Sequence, residues 1–412
     1  MSPITRAMVN SEDNNRGAGG RGGRGGRGGR GGRGGGRGRK GQVDVGQHES
    51  KKRKRSVQQD ESESELADIA VTVPEIGALT VNDTVPTRAS KVTVQSRHFV
   101  DLVLRPRRIL EEKKETHKSP YSHFGTAPPP GGDYRAIDGF DAAQIWLSLS
   151  DDQVEEIIEE YVIMKNRRVC EAEYALFATE TFLRRQRQFL QTPSDRKWRA
   201  ARIVQLFAPP GKSPHLRWIA PPSFEECPEF KFDLRLDCCY WLSLAGFNSE
   251  YRAELSNTVY LLDDDWGTCP YFTIEFKKHG QSIEQATRQA CAAASVPLYN
   301  RYLLKQEALE VETKEWTDSD RAEMKHYILT FIGFQYDIWM LRARFSEDSS
   351  TWDGCSMVNI CKSTCASKAG VRRLESWINE IHRWGLSRHA AGCQADAKTI
   401  LNDNGIDTSM ID

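Results

Sequence analysis

From residue 150 onward the chain becomes periodic. In "SDDQVEEIIEEYVIM" the apolar residues Val154, Ile157, Ile158, Tyr161 and Val162 recur at helical spacing behind a capping box of Ser150 and Gln153, which predicts a helix with one buried side. A second helix is predicted over about 170–191, "CEAEYALFATETFLRRQRQFLQ". The period then shortens to two, predicting strands over 229–244, 257–262 and 270–278. A long helix follows over roughly 282–307, where Pro297 is expected to bend or break it. Its Ala286, Ala290, Ala293 and Ala294 share a small-residue face with Gln289, suited to close approach to a sheet. Residues 326–345 are rich in β-branched and aromatic side chains and hold two more strands, and 368–386 is an amphipathic helix before a polar tail. The order helix, strands, helix, strands, helix predicts an α/β fold, a mixed sheet flanked by helices, starting near Asp138.

Composition divides the chain. Residues 1–118 carry 24 Lys and Arg against 15 Asp and Glu, and the remainder carries 33 against 42, so a basic arm precedes an acidic body. Residues 16–41 are an RGG tract with almost nothing to bury, so disorder is expected. Its guanidinium groups, among them Arg21, Arg24, Arg27, Arg30 and Arg33, are free to stack on bases and fork to phosphates, making nucleic acid (DNA or RNA) the expected partner, with protein interaction or a solubilising tail as the alternative. "KKRKR" at 51–55 has the form a nuclear import receptor reads, which points to the nucleus, with the cytoplasm as the alternative. No stretch approaches the ~20 apolar residues that span a bilayer, and ten irregularly spaced cysteines fit reduced thiols. Residues 1–69 read as the disordered arm, 70–137 as a partly docked linker, 138–390 as the folded domain and 391–412 as the tail.

The stretch "PYFTIEFKKHGQSIEQATRQA" carries the candidate chemistry. Alternation places Phe272, Ile274 and Phe276 on one strand face and Thr273, Glu275 and Lys277 on the other, so the last two lie side by side, about 6 to 7 Å apart along the strand. A carboxylate and an ammonium held together on a sheet can bind a hard cation and steady developing phosphate charge. A cation needs a further acid. Asp237 in "LRLDCCYW" is the candidate, with Asp263, Asp264 and Asp265 as alternatives that read more simply as turn formers. The plain structural reading of Glu275 and Lys277 is an exposed strand end carrying a surface ion pair, worth about 0 to 1 kcal/mol.

Taken in order, the acid-bearing helix "CEAEYALF", the strand acid of "RLDCC", the E-x-K strand "FTIEFKK" and the glutamine helix "ATRQA" resemble the PD-(D/E)XK nuclease-like superfamily, and within it the nuclease-like domains common in fungal proteins. The likeness spans about 150–386; Asp237 lacks the proline that often precedes this acid and lies 38 residues before Glu275. The resemblance implies a restriction-endonuclease-like core and Mg²⁺- or Mn²⁺-dependent phosphodiester hydrolysis. It implies that Asp237, Glu275 and the Phe276 backbone carbonyl hold the metal, with Glu171, or Glu173 in its place, completing the shell. Lys277 would then orient the water or stabilise the transition state, and Gln289 would position the site. A fold does not guarantee its function, so the alternative is an inactive nuclease-like scaffold for nucleic acid or protein. Cys355, Cys361, Cys365, His389 and Cys393 lack the spacing of a zinc knuckle and read as buried core residues. Trp339, Trp377 and Trp384 read as core; the arginines of 183–188 and 196–202 could line a nucleic-acid path but read first as solvated helix faces.

Overall fold

The computed structural model describes residues 92–112, 117, 119–186, 199–204, 219–232, 234, 236–243, 255, 267–347 and 350–408. The RGG tract, the basic run, Asp263 to Asp265 and the strand predicted over 257–262 lie outside the described residues. Among those described, the strands are β1 (Ile109–Glu111), β2 (Arg199–Val204), β3 (Cys238–Ser243), β4 (Gly267–Lys277), β5 (Lys325–Ile332), β6 (Gln335–Phe345) and β7 (Trp352–Thr364). They form one sheet in the order β1-β7-β6-β5-β4-β3-β2. The pairs β4–β5 and β1–β7 are parallel and the other neighbours antiparallel. The helices are α1 (Pro120–Phe124), α2 (Asp151–Arg167), α3 (Glu171–Phe182), α4 (Ile283–Glu312), α5 (Asp318–Glu323), α6 (Lys368–Trp384) and α7 (Ala390–Asp403). Parallel neighbours need a crossover rather than a hairpin, and α4 makes it between β4 and β5. The fold is α/β, a mixed sheet with helices on its faces.

Both faces of the sheet are covered. Phe272, Ile274 and Phe276 join Tyr240, Leu329, Ile338 and Val358 in a core that includes residues of α2, α3 and α6. Cys239, Trp241, Ile328, Trp339 and Leu341 meet Ala290, Ala293 and Ala294 of α4 on the other. The small-residue face of α4 is fully buried, and methyl side chains let that helix lie close on the strands. Trp377 and Trp384 are core residues, as the periodicity indicates. No helix of the described residues is long and apolar enough to cross a membrane.

Several predicted boundaries are corrected. The Ser150–Gln153 capping box forms as read, but the buried stripe of α2 is Val154, Ile157, Tyr161 and Met164, and Val162 is exposed because it lies about a quarter-turn from Tyr161. The second helix ends at Phe182 rather than near 191. Phe182 and Leu183 both turn into the core, and Arg202 donates to the carbonyls of Thr179 and Leu183, closing the last turn from outside. Helix α4 runs through Pro297 without a break, with Val296, Pro297 and Leu298 all buried against the core. Such burial offsets the ~3 kcal/mol a helical proline costs. The stretch 391–412 is no polar tail throughout: α7 buries Cys393, Ala397, Ile400 and Leu401 and packs against α4. Folding begins before Asp138, since Phe99, Val103 and Leu104 are core residues and β1 pairs with β7. "WDGCSMVNICKST", read from its cysteines alone, is the long strand β7.

Candidate active site

The site lies at the carboxyl end of β4, where ligands commonly bind in sheets with parallel strands and crossover helices. Glu275 and Lys277 point to the α4 side of the sheet, and Glu275 is completely buried. The exposed strand end of the plain reading is therefore absent: α4 roofs that face. Lys277 Nζ donates to Glu275 Oε1 at 2.6 Å and to the Phe276 carbonyl at 2.8 Å. Lys278 is exposed, one residue past the end of β4.

Asp237 is not inside a long strand. Residues 229–232, 234 and 236 are coil, with Phe232, Leu234 and Leu236 buried, and β3 begins only at Cys238, opposite Ile274. One step further, the Phe276 N–H donates to Asp237 Oδ2 at 2.7 Å, so a side chain takes the donor that a backbone carbonyl would need to continue the ladder. The same bond carries Asp237 to the end of β4. Glu171, in the first turn of α3, completes the group: its Oε1 lies 3.8 Å from Lys277 Nζ, and its Oε2 accepts from the Lys278 N–H at 3.1 Å. A carboxylate at a helix N-terminus is favoured by the helix dipole.

Three carboxyl groups around one ammonium leave an excess of negative charge in a dry place. Burial, reinforced by the charge of Asp237, pushes the Glu275 carboxyl up to about 8. Burial also raises Asp237, against the Phe276 N–H that favours its charged form. Burial opposes the charge of Lys277, but Glu275, Glu171 and Asp237 together overcome it and hold its pKa above the usual lysine value. Glu275 Oε2 is buried with no hydrogen-bond partner, a costly condition for a carboxylate oxygen unless a proton or cation satisfies it.

These donors are all hard oxygens, which suits Mg²⁺ or Mn²⁺ rather than a thiophilic metal. Among the described residues, no three His, Cys, Asp or Glu side chains converge on one metal position. A cation at Glu275 would rest on few carboxylates, the Phe276 carbonyl and water, and Mg²⁺ commonly keeps several waters.

Of the residues read from sequence, Glu171, Asp237, Glu275, Phe276 and Lys277 come together. Gln289 sits half-buried in the second turn of α4 and takes no part in these bonds among the described residues. Glu173 is exposed in the first turn of α3. The cysteines divide between the two cores, with Cys355 on the α4 side and Cys361, Cys365 and Cys393 on the other. His389 is buried in the turn before α7, 3.6 Å from the Cys393 thiol.

Two polar residues escaped the sequence reading. Asp337 and Asn359 are buried on β6 and β7. Their signal was present, a lone acid in "YDIWML" and a lone amide in "SMVNIC", polar residues inside runs otherwise fit only for a core. Pairing extends the row Glu275, Thr330, Asp337, Lys362 across four strands on one face. No family model, curated protein or solved structure matches this chain.

Proposed function

We propose that the protein is a Mg²⁺- or Mn²⁺-dependent nuclease of the PD-(D/E)XK type, hydrolysing phosphodiester bonds of nucleic acid at the end of β4. The observation that carries this reading is the buried, unpartnered Glu275 Oε2 two residues from Lys277, with Asp237 and Glu171 beside them. Asp237, Glu275 and the Phe276 carbonyl would hold the cation, with Glu171 on the outer side; the bound cation supplies a Lewis acid for the phosphate and acidifies a water. The Phe276 N–H fixes the Asp237 carboxylate in direction. Glu171 and Glu275 hold the Lys277 ammonium, whose raised pKa keeps it charged at neutral pH and available to the negative charge that develops on the phosphate. The arginines of the RGG tract would supply sequence-independent affinity, and the basic run at 51–55 would direct the chain to the nucleus.

A second reading draws on the same contacts. Lys277 bonds both Glu275 Oε1 and the Phe276 carbonyl, so an internal cation satisfies two of the oxygens a metal would use, as in a scaffold that has given up catalysis. Incubating DNA and RNA with the full chain, with Mg²⁺ or with chelator, beside Glu275→Ala and Lys277→Ala, separates the two. Cleavage that needs Mg²⁺ and is lost in both variants supports the nuclease; wild type no more active than the variants leaves the scaffold.

A further inference from the structure

Beyond Lys277 the chain leaves the sheet at Lys278 and His279, both exposed. His279 is held in place although it faces solvent. The turn between β5 and β6 docks on the end of β4 through the Gly333 N–H, which donates to the Lys277 carbonyl at 2.9 Å. Gly333 has φ +59, and a Cβ there would lie 2.7 Å from His279 Cβ, so glycine is what lets the two segments meet this closely. The next residue, the half-buried Phe334, lies against the His279 ring, with centroids 5.0 Å apart and planes inclined by 33°. Lys165, exposed in the last turn of α2, sets its ammonium 4.9 Å from the centre of the Phe334 ring. Although the body is acidic overall, no carboxylate of the described residues pairs with Lys165 or with the Lys278 ammonium.

The geometry points to a docking surface for a single strand of nucleic acid: an unpaired base lies on the face of the His279 ring turned away from Phe334, and Lys278 and Lys165 take the flanking phosphates. Phe334 backs the ring and Gly333 receives its Cβ, so the platform is ordered before a strand arrives and little further freedom is lost on binding. Every base has a flat face, so an aromatic side chain between cations holds an unpaired strand without reading its sequence. A duplex keeps its bases stacked on one another and offers only phosphates here. His279 follows Lys277 by two residues, at most about 7 Å along the chain, which sets the stacked base beside the end of β4. The inference rests on the nuclease reading for the ligand's being nucleic acid and for the placing of this strand beside the bond to be cut.

The test is equilibrium binding of short oligo-dT and oligo-U strands, and of a duplex of equal length, to the full chain in chelator over a range of salt concentrations, so that nothing is cut. His279→Ala keeps the Cβ beside Gly333 and removes the ring. It is expected to weaken a single strand about tenfold, since one base on an aromatic side chain supplies about that factor or more, and to leave the duplex unchanged. A loss with oligo-dT marks the strand as DNA and a loss with oligo-U as RNA, and His279→Phe restores the binding. Lys165→Gln and Lys278→Gln are each expected to lower the slope of log affinity against log salt by about 0.7, one phosphate contact on a single strand. The arm is the same in every variant, so differences from wild type are the readout. Both single strands bound as before by a folded His279→Ala, an equal loss on the duplex, no rescue by Phe, or unchanged slopes in both lysine variants overturns the surface. Should His279→Ala fail to fold, the lysine slopes decide. A tenfold loss in a protein that cleaves neither strand keeps the surface and removes the nuclease, and Mg²⁺-dependent cleavage with unchanged binding by His279→Ala does the reverse.

Discussion

Replacing Glu275 by Gln keeps the size and the acceptor of the side chain but removes its titration. Folding raises this carboxyl from 4.5 to about 8, because burial and the neighbouring Asp237 disfavour its charge. The native state therefore holds the proton more tightly than the unfolded chain. The stability this confers is complete below pH 4.5 and is lost as pH rises through 8. At ~1.36 kcal/mol per unit, the metal-free wild type should lose roughly 3 to 4 kcal/mol relative to Glu275→Gln between pH 5 and pH 8. Lys277, held above the usual lysine value, titrates above this window in the wild type. Urea unfolding of the two full-length proteins at each pH, in chelator and followed by tryptophan fluorescence, measures the difference. Curves of stability against pH that run parallel would refute the placing of a protonatable Glu275 in the core. Adding Mg²⁺ at pH 8 should restore stability to the wild type alone, because a cation that displaces the proton binds only the carboxylate.

Asp237→Asn should stay folded, since the amide oxygen still accepts from the Phe276 N–H, yet lose about tenfold or more in Mg²⁺ affinity by calorimetry; Asp237→Ala should in addition lose about 1 to 3 kcal/mol of stability, the cost of an abandoned buried donor. A Cβ at Gly385 would lie 2.4 Å from ring carbons of the buried Tyr271, so Gly385→Ala should cost about 1 to 3 kcal/mol in thermal or urea unfolding; an unchanged midpoint would contradict that packing. Deleting residues 1–55 should reduce both nucleic-acid affinity and its salt dependence while leaving the Mg²⁺ affinity of Glu275 untouched; equal salt slopes with and without the arm would remove the arm from binding.

Much of this was legible locally. The Ser150 cap, the alternation of β4 and the alanine face of α4 depend on residues within a few positions of one another, so one-dimensional spacing suffices to read them. Spacing also made Glu275 and Lys277 neighbours. It overran where segments end: the pattern of 229–236 is apolar at alternate positions and Phe232, Leu234 and Leu236 are indeed buried, but a strand also needs a partner. There the partner's N–H goes to the Asp237 side chain.

The chain's own order therefore determined α2, β4 and α4, the basic arm and the pairing of one acid with one lysine, because these follow from local geometry and composition. Tertiary structure alone decided that Asp237 and Glu171, 38 and 104 residues before Glu275, reach the end of its strand. It also decided that α4 closes over Glu275, and that Asp337 and Asn359 line a cavity on the same face. Strand register and helix docking are set by contacts between distant segments, and the burial they impose gives Glu275 its shifted titration.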